Sequence, residues 1–239
     1  MSWYDNIPSN MHQGQSYPRK TVLDWMEGER PGLSLSGYHW AINQLIKNGA
    51  IAKTGHDEYS LPNGKILREY VPGYSEEATF LLDKLGSKFP YVPFTVFETV
   101  LMNNFLNHLI AQNTIFLQVE KDSSIYVFRY LQEEGVQNLM FRPSINDLRL
   151  YWSNGTVIVT DLVSEAPMRM NQPHVLLLEK MLVDMCADKL IGSTFSKAEL
   201  PNVFDIAVSQ YQLDRSKLVR YARRRNKEAE VKKYLKESA

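Results

Sequence analysis

Ser36, His39, Trp40, Asn43 and Lys47 recur at intervals of three and four, so on a helix they form a single stripe. Their side chains supply hydroxyl, imidazole, indole, carboxamide and ammonium groups, which can hydrogen-bond base edges and phosphate oxygens. The chemistry this pattern suggests is recognition of DNA, not catalysis. In the same stretch, Leu33 to Ile51, the residues Tyr38, Ala41, Ile42, Leu45 and Ile46 mark the opposite face as apolar. Ser34 or Ser36 can cap the N-terminus by accepting from a free backbone N–H, and Asn48-Gly49 supplies a left-handed residue to end the helix.

The elements that must hold such a helix in place flank it on both sides. Upstream, Arg19 to Met26 has Val22, Leu23, Trp25 and Met26 to bury, and Pro31-Gly32 lies in the turn that follows. Downstream, Ile51 to Leu61 predicts a short β-hairpin turning near Thr54-Gly55-His56-Asp57. Helix, turn, helix and hairpin is the order of a winged helix, whose second helix enters the major groove. The reading face is then Ser36, His39, Trp40, Asn43 and Lys47, with Ser34 at the helix start and Arg19, Lys20, Lys53 and His56 at the phosphates.

Charge tempers that expectation. From Pro18 to Ser60, Arg19, Lys20, Arg30, Lys47 and Lys53 are balanced by Asp24, Glu27, Glu29, Asp57 and Glu58. A neutral module displaces few counterions, so it binds DNA weakly unless it dimerises or borrows charge from elsewhere. Docking of a protein partner is the alternative use of the same shape.

A chain of 239 residues has room for more than this module, and two domains are expected. With 44% hydrophobic and 11% aromatic residues it can bury a core in each. The turn-rich runs Pro62-Asn-Gly-Lys65 and Val71-Pro-Gly-Tyr-Ser75 set the division. A tail or short leading helix covers 1–17, the winged helix 18–62, a linker 63–74 and an α/β domain 75–239.

In that domain, strands near Tyr91–Phe97, Thr114–Glu120, Leu139–Phe141 and Thr156–Thr160 alternate with helices near Ser75–Leu85, Val100–Ala111, Asp122–Glu134 and Pro143–Tyr151. Alternation of this kind implies an α/β fold with a mixed or parallel sheet. Val175–Ile191, Lys197–Gln210, Asp214–Arg225 and Asn226–Lys236 read as C-terminal helices. The lone Cys186 excludes an internal disulfide, and the first residues, Met-Ser-Trp-Tyr-Asp-Asn-Ile-Pro, lack the basic region and apolar run of a signal peptide, so export is not expected. No stretch is long enough to span a bilayer, so a cytoplasmic protein without a membrane partner is expected.

Catalytic patterns are missing. No Gly-rich phosphate loop occurs, and the five histidines do not fall at metal-ligand spacing. Glu120 and Lys121 are adjacent, so on a strand they point to opposite faces, unlike the acid-spacer-lysine arrangement of metal-dependent nucleases. Asp161, Glu165, Glu179, Asp184 and Asp188 could gather into an acidic site, but pairing with Arg169, Lys180 or Lys189 is the stronger reading. No catalytic residue, metal or cofactor is expected.

Basic charge collects at the C-terminal end, where Tyr211, Leu213, Leu218, Val219 and Tyr221 leave Arg220, Arg223, Arg224 and Arg225 to face outward as a phosphate-binding patch. Four stretches together carry a resemblance: Leu33 to Gly49 with its hairpin to Tyr59, Thr156 to Pro167, His174 to Leu190, and Arg220-Tyr-Ala-Arg-Arg-Arg225. They resemble the antitoxins of type IV abortive-infection toxin–antitoxin pairs, the AbiEi-like group. The resemblance implies a bacterial two-domain antitoxin whose winged helix represses its own operon at inverted repeats in operator DNA. It also implies a C-terminal domain, including Arg220 to Arg225, that counters a nucleotidyltransferase-like toxin functionally, with or without stable contact. A winged-helix regulator with a ligand-sensing α/β domain is one rival, and a nuclease or nucleotidyltransferase with a DNA-targeting head the other.

Overall fold

The computed structural model describes residues 2–55, 57–62 and 67–237. The chain divides into a smaller unit of residues 1–69 with 209–216, and a larger unit of the remainder.

The smaller unit contains a 3-10 turn at Ile7–Asn10, strand β1 at Ser16–Pro18, helices α1 at Arg19–Glu29 and α2 at Leu35–Lys47, and strands β2 at Ala52–Gly55 and β3 at Glu58–Ser60. The three strands form an antiparallel sheet in the order β1-β3-β2. Ser34 is the cap of α2, its hydroxyl accepting from the Gly37 N–H at 3.3 Å. At the other end Gly49 turns left-handed at φ +70°, and the Ala50 N–H reaches back to the Leu45 carbonyl at 2.9 Å. Tyr38 fixes the turn between the helices: its hydroxyl donates to the Glu27 carboxylate and to the Arg30 carbonyl, and accepts from the Leu33 N–H.

The leading segment, expected as a tail or a short leading helix, carries the 3-10 turn at Ile7–Asn10 and is packed into the core of this unit. Tyr4, Ile7 and Met11 are buried with Val22, Met26, Tyr38, Ala41, Ile42 and Leu45 in one apolar cluster. Three- and four-residue spacing of those first apolar side chains is the signal that marks them as core. The segment 209–216 also joins this unit, where Arg68 and Tyr211 form a parallel bridge.

The larger unit is mixed α/β. Its strands are β4 at Phe94–Glu98, β5 at Thr114–Val119, β6 at Leu139–Phe141 and β7 at Thr156–Asp161. The sheet runs β4-β5-β7-β6, with β4 antiparallel and the rest parallel. Every residue of β5 is buried, as a central strand covered on both faces requires. One face meets α3 (Glu76–Lys88) and α4 (Ser124–Glu133) through Leu81, Leu85, Val127 and Leu131. Helix α5 (Ile145–Tyr151) starts at a capping box formed by Ser144 and Asp147.

Four helices follow: α6 (Leu178–Ala187), α7 (Leu200–Gln210), α8 (Arg215–Arg224) and α9 (Glu228–Glu237). The helix expected over Val100–Ala111 is instead a 3-10 turn at Thr99–Asn104 and a loop. Asn103 explains the difference, because its carboxamide bonds both the N–H and the carbonyl of Ile110 and satisfies backbone that a helix would have used. No helix among the described residues is long and apolar enough to cross a membrane.

Candidate nucleic-acid interface

Helix α2 sorts its side chains as the spacing requires. Tyr38, Ala41, Ile42 and Leu45 are buried, whereas Ser36, Trp40, Asn43 and Lys47 are exposed and His39 is half-buried. Asn43 and Lys47 have no side-chain partner among the described residues, so their donors and acceptors are available to a ligand. Trp40 is 55% exposed, with one edge against the Tyr4 ring at 5.8 Å. That contact was not legible from α2 alone. Ser34 is partly used by its capping role and lies 3.0 Å from the Ser36 hydroxyl.

The residues expected at the phosphates divide into two groups. Lys20 and Lys53 are exposed and unpaired among the described residues. Arg19 is not free in this way: its guanidinium pairs with the Asp57 carboxylate at 3.1 Å and donates to the His39 ring, while its own N–H bonds the Asp57 carbonyl at 2.6 Å. Position explains the diversion. Arg19 opens α1, directly beside the hairpin tip where Asp57 turns left-handed at φ +55°. Arg19 therefore links α1, α2 and the hairpin. His56 lies outside the described residues.

Of the C-terminal arginines expected to face outward, Arg220, Arg223 and Arg224 are exposed and Arg225 turns inward. Arg225 is 12% exposed and extends to Asp184 at 3.8 Å and to Asp188 at 3.6 Å. Leu218, Tyr221, Ala222 and Arg225 share one helical face, so the buried stripe continues past the apolar residues to the arginine. Burial works against its charge, yet Asp184, Tyr221 and Asp188 more than offset this and hold the guanidinium above its ordinary pKa. Arg223 makes a two-pronged bond to Glu228 at 2.7 and 2.9 Å. Bonds from Arg223 and Lys232 hold the Glu228 carboxyl down to about 2. Arg224 donates to the Ser164 hydroxyl at 2.7 Å and lies 4.0 Å from Glu165. Of the four, Arg220 alone is exposed without a partner among the described residues.

Of the acids expected as an alternative acidic site, Asp161, Asp184 and Asp188 are paired with basic side chains. Asp161 accepts from Arg142 at 2.5 Å and from Ser124 at 3.0 Å. Asp184 pairs with Lys180 and accepts from the Tyr221 hydroxyl at 2.9 Å, which burial and that carboxylate push far above its ordinary pKa. Glu120 and Lys121 lie just beyond β5 and are exposed. No group of three His, Cys, Asp or Glu side chains among the described residues is placed to hold a metal. Cys186 is buried, and its thiol is pushed up to about 12, chiefly by burial.

Compared with known proteins, residues 38–239 match the model of a family of unknown function. No curated protein matches the chain.

Proposed function

The chain belongs to the family of unknown function DUF6577; from its sequence pattern and the exposed face of α2 we propose that it is a non-enzymatic, DNA-binding antitoxin that represses its own operon. In this reading the smaller unit is a winged helix whose α2 enters the major groove at inverted repeats. The larger unit counters a nucleotidyltransferase-like toxin of the cytoplasm. The observation that carries the DNA half is the exposed outer stripe of α2, Ser36, Trp40, Asn43 and Lys47, which contains no acid and leaves Asn43 and Lys47 unpaired among the described residues. A hairpin with exposed Lys53 follows that helix, as backbone contact in this class requires.

Mobility shifts on the native promoter test the proposal. Asn43→Ala is expected to cost about 1–3 kcal/mol at one base position, the worth of a paired base contact. Lys47→Ala should weaken binding to all sequences alike and lower the salt slope by about 1. Wild-type affinity in both variants overturns the assignment of α2. The antitoxin half is read separately, by co-expressing the chain with the neighbouring gene: growth unchanged by the chain's presence removes it.

The balance of charge supports a second use of the same face, docking of a protein. Loss of partner capture by Trp40→Ala with no promoter shift in any condition would select it.

A further inference from the structure

A groove of about 760 Å³ opens in the larger unit, between the loop after the 3-10 turn at Thr99–Asn104, the end of α5 and the segment 193–196. That volume is within the range of small-molecule sites. Leu109, Leu148, Trp152 and Phe195 give it apolar walls. The Trp152 ring is fixed by its indole N–H, which donates to the Thr114 hydroxyl at 2.7 Å. Thr114 is buried, and accepting that bond leaves its own O–H able to donate into the groove.

Two charged side chains of the lining decide what fits. Glu199 keeps its negative charge but is engaged by the loop beside it: its carboxylate accepts from the N–H groups of Asn107 at 2.6 Å and His108 at 3.3 Å, and bonds the His108 ring at 3.1 Å, so an anionic ligand is held at the Arg149 side. Arg149 is exposed and has no hydrogen-bond or ion-pair partner among the described residues. An apolar slot with a fixed indole, a donor hydroxyl and an unpaired guanidinium is complementary to a flat body bearing one negative group. Leu109, 72% exposed at the mouth, is an apolar surface such a ligand would cover.

We propose that this groove is a binding site for a small planar organic anion, of the aromatic carboxylate class, with Arg149 holding the anionic group and Trp152 and Phe195 the ring. The site belongs to the larger unit alone, so its failure and that of the DNA reading are separable.

The test is a fluorescence titration of the full chain with 8-anilinonaphthalene-1-sulfonate, an anionic aromatic probe, and with neutral N-phenyl-1-naphthylamine. Saturable one-site binding of the anionic probe, displaced by 2-naphthoate, is expected. Arg149→Gln should weaken the anionic probe about tenfold, the loss of one charge-assisted contact, and leave the neutral probe within about twofold. Arg149→Lys, which keeps the charge, should restore most of the loss. Equal binding of the anionic probe by wild type and Arg149→Gln overturns the proposal. So does an equal loss of both probes, or an absence of saturable binding to wild type, the result expected if the groove seats a protein segment instead.

Discussion

Lys180 and Asp184, one turn apart on α6, are both fully buried and lie 2.5 Å apart as an ion pair. Around them, the Gln118 carbonyl oxygen accepts from Lys180, Tyr221 donates to Asp184, and Thr95 donates to Gln118 at 3.3 Å. This network joins β4 and β5 to α6 and α8. A buried pair is stabilising only while both charges are compensated, since removing one strands the other in a medium of low dielectric.

Asp184→Ala should therefore lower the unfolding free energy of the larger unit by about 3–5 kcal/mol, because Lys180 loses its counter-charge. The double variant Lys180→Met with Asp184→Leu should recover only part of that loss, since Arg225 and the Tyr221 hydroxyl still lose Asp184. Urea titrations followed by circular dichroism read both. A near-zero cost for Asp184→Ala would mean that solvent reaches the pair.

If the basic end acts on phosphate, the arginines should not contribute equally. Arg220→Ala should reduce binding of an anionic polymer such as heparin. Arg223→Ala should change it little, since Glu228 already claims that guanidinium, and Glu228→Gln should raise it by releasing Arg223. Salt elution from a heparin column ranks the variants. Arg223→Ala eluting earlier than Arg220→Ala would refute the order.

His174 ties stability to pH. Its ring stacks on Phe94 at 3.7 Å with an interplanar angle of 7°, and burial lowers its pKa below the ordinary histidine value of 6.5, against a bond to the Phe94 carbonyl that raises it. A depressed folded-state value means that the unfolded chain binds the proton more readily. The contribution is then fully present above about pH 6.5 and is lost as pH falls through the folded value. Urea midpoints measured from pH 8 to 5 should fall on the acid side in wild type, and less so in His174→Gln. Identical slopes in the two would show that the acid sensitivity arises elsewhere.

Helix α2 shows how far local pattern carries. Periodicity named its buried and exposed residues, Ser34 its start and Asn48-Gly49 its end, because a helix cap and an amphipathic face are decided within one or two turns of chain. The strands of the larger unit were legible for a related reason. Runs such as Thr114 to Val119 are too uniformly apolar to lie anywhere but inside a covered sheet.

What the pattern could not assign was the partner of each charge. Arg19, Arg223, Arg224 and Arg225 are alike as letters, yet Asp57, Glu228, Ser164 and Asp184 engage them differently, and three of those partners are distant in sequence. Nor could it show Tyr4 beside Trp40, or Tyr211 beside Arg68. Residue order by itself determined which faces are apolar and where helices begin and end, since those depend on neighbours a few positions away. Only the tertiary structure decided which polar groups remain free for a ligand, because a charge is neutralised by whatever folding brings within about 4 Å of it, irrespective of separation along the chain.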